Sequence, residues 1–309
     1  MNDLAVIIVS YNVREYLGEC VASVLQSTGL TLDVWVVDNA SSDGSADMVA
    51  ERFPQVHLIR SPHNGGYAYA NNLALRELGI GTAAPLCRYA LLLNPDTRVQ
   101  QGDLAQTVGF ADQHPDAGVV GVKLVRQDSS LDLACRRSFP TPAVSLTRML
   151  GLSRLFPRSR LFGRYNLTYL DPDQTAEVDA VVGAFMLVRR QAIEQAGLLD
   201  EAYFMYGEDL DWALQIKQRG WKVVYYPTVT VLHYKRASSN KSLPRTTRAF
   251  YESMLIFYRK HYASTTPAPL HWLVVGGIHV SAVLALLRGV WLPRLLRRLR
   301  PDASSSAPR

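Results

Sequence analysis

Three carboxylate-bearing stretches, a glycine pair and one histidine carry the chemistry this sequence can offer. Asp38 ends an apolar run in VVDNASSDGS, and Ser10, Tyr11 and Asn12 end another in VIIVSYN. A carboxylate so placed can accept from a pyrimidine N3–H or a ribose hydroxyl, or it can form an Asx turn in DNASSDG. Asp96 in LLLNPDT follows an apolar run and a proline-stiffened turn, with Asn94 where a second carboxylate would often stand. As a hard oxygen ligand Asp96 can hold a divalent cation against a diphosphate; capping the turn is the alternative. Glu208, Asp209 and Asp211 in FMYGEDLDW crowd the first turn of an expected helix, with Trp212 an i,i+3 neighbour of Asp209. The helix dipole there favours the ionised carboxylate that a general base requires, and ordinary first-turn acid enrichment explains the cluster too. His233 closes TVTVLH, where a neutral imidazole can complete a metal site or simply pack. In HNGGYAYANN, Gly65 and Gly66 precede a helix that holds Asn71, so a helix N-terminus is offered to an anion; a turn needing positive φ accounts for the glycines equally.

The elements that must position these residues alternate. Apolar runs LAVIIV, LDVWVVD, VHLIR, YALLLN and GVVGV are separated by helical patterns beginning near Arg14, Gly44, Tyr67 and Gly102. That rhythm predicts an α/β fold, a mostly parallel sheet flanked by helices. Ligands of such sheets bind outside the carboxyl ends of the strands, where Ser10 and Asp38 fall. No G-x-G-x-x-G follows the first strand, which weighs against dinucleotide binding. Residues 126–175 lose the rhythm and carry Pro140, Pro142, Pro157 and Pro172, so an irregular, partly helical insertion is expected. VDAVVGAFMLVRR then reads as a strand, Gly207 to Gly220 as a helix, and WKVVYYP and TVTVLHY as two strands parted by Pro227. A helix from Arg245 to Tyr262 stacks Phe250, Met254 and Phe257 on one face.

With 309 residues, 48% hydrophobic and 19% charged, the chain is globular, which excludes a disordered, collagenous or multi-span membrane protein. The expected division is a catalytic domain over 1–240, including the 126–175 insertion, and an extension over 241–309. Three cysteines without paired spacing suggest neither a disulfide framework nor a thiolate zinc site, and LAVIIV reads as a strand rather than an export signal, so a cytoplasmic setting is expected. The net charge of +6 is uneven: residues 133–164 hold seven arginines and no acid, and 288–309 hold six arginines against Asp302. These blocks carry +7 and +5, leaving −6 on the rest of the chain. Such blocks suit anionic lipid or phosphate rather than nucleic acid; two solvated loops are the alternative.

Residues 270–287 are uncharged and apolar. As a helix they rise ~27 Å against a ~30 Å hydrocarbon core. His271, His279, Ser281 and Gly276–Gly277 weaken a span further. A crossing with the arginine tail held inside would also export the catalytic domain. The segment is therefore expected to attach the protein peripherally to the cytoplasmic face of the membrane, its arginines on headgroups. Packing on the protein, or on a second subunit of a homo-oligomer, is the alternative.

Seven stretches occur in order: VIIVSYN, VVDNASSDGS, NGGYAYANN, LLLNPDT, VDAVVGAFMLVRR, GLLDEAYFMYGEDLDW and VLHYKRASS. Over residues 4–240 they resemble the family 2 glycosyltransferases of GT-A fold, in particular the rhamnosyltransferase-like branch. The resemblance implies an inverting, metal-dependent hexosyltransferase using a dTDP- or UDP-linked donor, Mg or Mn, and a glycan or lipid-diphosphate acceptor. It further implies that Asp38 contacts the nucleoside, Asp96 the metal, Asp209 the acceptor hydroxyl, and His233 the metal or diphosphate. N-P-D stands in place of a D-x-D triplet, leaving one carboxylate for the metal. Glu208, Asp211 and Trp212 are alternative base or acceptor-binding residues. The positive charge of the arginine-rich insertion from Arg136 to Arg164 is expected to line the acceptor side and favour a lipid diphosphate, with Arg136 and Arg137 among its contacts. Nucleotidyl transfer is a rival, but SYNVREYL offers only Arg14 where a basic phosphate loop is usual. A non-catalytic carbohydrate-binding scaffold is another, opposed by intact Asp38, Asp96 and Asp209.

Overall fold

The computed structural model describes residues 1–235 and 243–288. The C-terminal part of VLHYKRASS and the tail beyond Arg288 lie outside the described residues. β1 (Asn2–Ser10) is the buried axis, with Leu4 to Ile8 wholly covered. Such a run belongs in a sheet covered on both faces, and truncating Ile7 to alanine there would cost about 2–5 kcal/mol. Around it lie α1 (Arg14–Leu25), β2 (Leu32–Asp38), α2 (Ser45–Arg52), β3 (His57–Arg60), α3 (Tyr67–Glu77), β4 (Cys87–Leu93), β5 (Thr97–Arg98), α4 (Asp103–Gln113) and β6 (Ala117–Val125). The insertion contributes α5 (Pro142–Met149) and α6 (Leu152–Leu155). Next come β7 (Ala176–Val178), β8 (Phe185–Arg189), α7 (Arg190–Ala196), α8 (Glu208–Gln218) and β9 (Lys222–His233), then α9 (Leu243–His261) and α10 (Ala268–Leu286).

The sheet order is β3-β2-β1-β4-β8-β6-β9-β5, with β7 on β9. β1, β2, β3 and β4 run parallel, as do β6 and β9, while β8 is antiparallel to both β4 and β6. The expected α/β sheet flanked by helices is therefore present. Two strand expectations need correction. VDAVVGAFMLVRR is a strand only over Phe185–Arg189 (β8), because Val178 ends the outer pairing of β7 with β9 and the chain turns inward before β8 enters between β4 and β6. Conversely, Pro227 does not split β9. The pairing with β6 jumps from Val122↔Tyr226 to Lys123↔Thr230, so the proline sits in a bulge where no ladder N–H is needed.

The short β5 matters most for the site. Its antiparallel register sets Thr97 opposite His233, bringing the Asp96 turn to the end of β9. α9 is fastened to α8 through Asp211, which accepts from Lys260 Nζ at 2.9 Å and pairs with His261 Nε2 at 2.6 Å. α10 is apolar around its whole circumference and, apart from Ile278, has no buried residue.

Candidate active site

The register of β1 on β2 pairs Ser10 with Asp38 at the carboxyl edge of the sheet, as expected. Asp38 is buried; its Oδ2 accepts from the Ser41 N–H at 3.0 Å, whereas Oδ1 and the Ser10 hydroxyl have no partner among the described residues. A buried oxygen left without a donor costs about 1–3 kcal/mol, so this pair suits a ligand that donates. Asn12, at φ 55°, laces the edge together: its N–H donates to Ser41 Oγ and its Oδ1 accepts from the Ser42 N–H. Tyr11 presents an exposed ring beside it.

Asn39, which the sequence reading passed over, ties the glycine loop to this edge. Its Nδ2 donates to Gly66 O and its Oδ1 accepts from the Gly65 N–H, both at 3.1 Å. At Gly66 the turn that needs positive φ is present. Gly66 adopts φ +93°, and a Cβ there would lie 2.2 Å from Phe204 O, so glycine is required by close backbone approach. That same carbonyl accepts the Tyr67 N–H at 2.8 Å, which removes the first helical donor of α3 from an anion. Asn71 is buried inside, its Nδ2 donating to Tyr67 O and its Oδ1 left without a partner.

Asp96 and His233 do come together. His233 Nε2 is 3.4 Å from Asp96 Oδ1, and all of the participants are buried. On its other side Nδ1 is 3.1 Å from Oδ2 of the fully buried Asp132, which also takes Lys235 Nζ at 2.6 Å. Burial works against the imidazolium, but the Asp132 and Asp96 carboxylates outweigh it and push the His233 pKa up to about 9. Asp132 moves the opposite way: burial opposes its charge, and His233 and Lys235 hold its carboxyl well below the usual carboxylate range. A histidine fixed by an outer carboxylate is the usual support of a metal-ligating imidazole. Among the described residues no three His, Cys, Asp or Glu side chains converge on one point. With the Nε2 proton released on binding, the Asp96–His233 pair fits a cation that draws its remaining ligands from substrate phosphate and water. Lys235 and Arg126, the latter 3.8 Å from Asp132, also line an open cleft with Tyr234.

The acidic cluster divides into different roles. Asp209 Oδ2 accepts from Arg137 Nη2 at 2.6 Å and from the Gly183 N–H at 3.0 Å, and Oδ1 accepts from the Leu210 N–H at 2.8 Å. Glu208, buried alongside, has an Oε2 with no partner among the described residues, and burial together with the Asp209 charge raises its pKa to about 8. Tyr67 donates to Gly183 O at 2.7 Å; burial and then the charges of Glu208, Asp209 and Asp96 push its pKa far up. Gly183 thus links α3 to the acid cluster, accepting from Tyr67 and donating to Asp209. Asp211 and Trp212 are corrected. Asp211 is consumed by Lys260, His261, Gln215 and Tyr203, and Trp212 is wholly buried with its indole N–H on Gly197 O, so neither can meet an acceptor.

Arg136 and Arg137 are corrected as well, being buried rather than offered to a lipid diphosphate. Arg136 donates to Leu170 O and Asp171 O at 2.8 and 2.7 Å and stacks over Tyr225. Arg137, whose charge burial opposes and Asp209 sustains, is the counter-ion of the acid cluster.

Comparison with known proteins supplies a frame for this geometry. A family model described as Glycosyl transferase family 2 matches residues 5–197. N-acetylglucosaminyl-diphospho-decaprenol L-rhamnosyltransferase of Mycobacterium tuberculosis is 30% identical over 91% of this chain and 92% of its own length. Rhamnosyltransferase WbbL of Escherichia coli is 26% identical over 55% of this chain and 61% of its own. Among solved structures, the mannosyltransferase PcManGT of Pyrobaculum calidifontis, in complex with GDP-Man and Mn2+, superposes with a TM-score of 0.55 at 17% identity, covering 92% of this chain and 72% of that one. The architecture is the GT-A fold.

Proposed function

Because the chain belongs to glycosyl transferase family 2, and is thereby a glycosyltransferase, we propose that it moves rhamnose or another hexose from a dTDP- or UDP-linked donor to a lipid-diphosphate-linked glycan in cell-surface polysaccharide synthesis. The observation that carries this reading is the Asp96–His233 pair, brought together by the register of β5 on β9, in a fold whose edge presents Ser10 and Asp38. Full-length likeness to a rhamnosyltransferase with a diphospho-lipid acceptor supports the sugar and the acceptor class.

In this reading Asp38 Oδ1 accepts from the nucleoside, and Asp96 and His233 hold a divalent cation. The cation, when bound, neutralises charge on the leaving diphosphate, and Lys235 and Arg126 add to that field. Asp209, oriented by Arg137 and the Gly183 N–H, takes the proton of an acceptor hydroxyl. The hydroxyl oxygen bonds to the anomeric carbon as the bond to the diphosphate oxygen breaks on the opposite face, which inverts the configuration. The unpartnered Oε2 of Glu208 favours a second reading in which Glu208 is the base. Turnover of Asp209→Asn and Glu208→Gln with dTDP-rhamnose and an N-acetylglucosaminyl-diphospho-lipid separates the two. The primary reading expects loss of about 10²-fold or more in the first variant only. Loss confined to Glu208→Gln moves the base by one residue, and absence of transfer by the wild type to any sugar-lipid acceptor removes the proposal.

A further inference from the structure

α5 turns its apolar side chains outward. Val144 is buried beneath it, whereas Leu146 and Leu150, one turn apart, are exposed, Leu150 by 64%. The pattern continues past α6, where Leu155 is 71% and Phe156 53% exposed. α10 lies against the same segment: a Cβ on Gly277 would fall 2.8 Å from Met149 Cε. Trp272 of α10 is 70% exposed. Five arginines from Arg148 to Arg164 accompany this surface, all exposed, and no acid occurs between residues 133 and 170.

Two distant chain segments thus meet in one apolar surface, and every charged residue that the segment from 133 to 170 contributes is an arginine. Apolar side chains that enter the acyl boundary while guanidinium groups meet lipid phosphate are what an anionic bilayer takes. A second copy fits poorly, because a self-complementary contact would set the same arginines against each other with no acid to receive them. We propose that α5–α6 and α10 together form a docking face for an anionic lipid bilayer, the insertion making a contact of its own beside α10. The proposal rests on the reading that the acceptor is lipid-borne. Both segments are braced on the helix of the acid cluster. α5 begins five residues after Arg137, which pairs with Asp209, and α9, which leads to α10, is fastened to Asp211. Docking would accordingly set Glu208 and Asp209 at a fixed relation to the membrane surface.

The test uses the full chain, with α10 intact, and flotation with vesicles of phosphatidylcholine alone or mixed with phosphatidylglycerol. One variant combines Leu150→Ser, Leu155→Ser and Phe156→Ser; another combines Arg154→Gln, Arg158→Gln and Arg160→Gln. Each should weaken partition onto the anionic vesicles by about tenfold or more, and the arginine variant should match wild type on neutral ones. A retained melting shift with dTDP and Mn²⁺ shows that the variants are folded. Partition within about twofold of wild type in both variants would overturn the proposal. So would a lipid-free dimer that the leucine variant converts to monomer, because a second copy would then cover the face. If the partition falls as expected but the wild type transfers no sugar to lipid, the docking face stands and the functional reading fails. If the wild type transfers and partition is unmoved, the docking face alone fails.

Discussion

His233 stands between two carboxylates, with Nε2 3.4 Å from Asp96 and Nδ1 3.1 Å from Asp132. The inner carboxylate is on the turn before β5 and the outer one lies beyond β6, so two different connections hold one imidazole at the end of β9. Replacing Asp132 by asparagine keeps the volume but removes the charge that orients the ring. The expected result is about a 10- to 100-fold loss in Mn²⁺ affinity, read as the Mn²⁺ concentration giving half-maximal turnover. Unchanged Mn²⁺ dependence with reduced stability would make Asp132 purely structural.

Glu208 gives a pH signature. Its pKa rises from an ordinary 4.5 to about 8 on folding, because burial and the Asp209 charge disfavour the carboxylate. The native state therefore keeps a proton that the unfolded chain has lost. That stability is fully present below about pH 4.5 and is lost progressively as pH rises through about 8. Glu208→Gln carries no such charge, so its melting temperature should exceed that of wild type by several degrees at pH 8.5 and converge with it near pH 4.5. A constant difference across that window would show that Glu208 does not titrate there.

Among the described residues Arg137 is the one charged hydrogen-bond partner of Asp209, and both side chains are buried. Removing one member of a buried pair leaves the other uncompensated, at about 3–5 kcal/mol. Arg137→Met should lose that much in urea unfolding, and adding Asp209→Asn should restore part of it. Additive losses would mean that the pair does not couple.

The contrast between Arg137 and Asp209 shows where sequence reading ends. Strand runs such as LAVIIV and the carboxylates after them were legible, because burial of a parallel sheet writes itself as apolar runs and the topology puts strand ends together. The same logic located Asp38, Asp96 and the end of β9. What could not be read was which polar residue meets which across long separations. Asp132 sits 101 residues from His233, and Arg137 sits 72 from Asp209, with no periodicity linking either pair. Seven arginines in one segment looked alike as charge, although two of them are buried, Arg136 on backbone carbonyls and Arg137 on Asp209. Asp211 shared a helix turn with Asp209 but faces α9, because residues two apart on a helix point about 160° away from each other; Trp212, on nearly the same side as Asp209, is wholly buried with its indole N–H on Gly197 O.

The nucleoside and diphosphate ends of the site should separate thermodynamically. Asp38→Ala removes the acceptor Oδ1, so thymidine or uridine should bind about 10- to 100-fold more weakly with or without cation. Asp96→Ala should leave nucleoside binding alone and weaken nucleoside diphosphate binding only when Mn²⁺ is present. Titration calorimetry with and without chelator measures both. Equal losses for Asp96→Ala under the two conditions would remove its metal role.

Truncation after Thr266 tests the remaining helix. α10 is held by the Tyr258 hydroxyl on His271 Nδ1 at 3.0 Å, by contact with Met149 and by burial of Ile278, while the rest of its apolar surface lies outside the core. Its removal leaves Asp211, Lys260 and His261 in place, so α9 stays fastened and the nucleotide-dependent melting shift should persist. Membrane partition should fall, because a largely uncovered apolar helix is lost. The part that remains should be carried by the arginines from Arg148 to Arg164, and raising the salt from about 0.1 M to about 1 M, which shortens the screening length from ~10 to ~3 Å, should release it. Sedimentation of the truncated protein with membranes at both salt concentrations checks this. Full retention at high salt would place the principal anchor in another segment, and a truncated protein that no longer binds nucleotide would make α10 part of the folded domain.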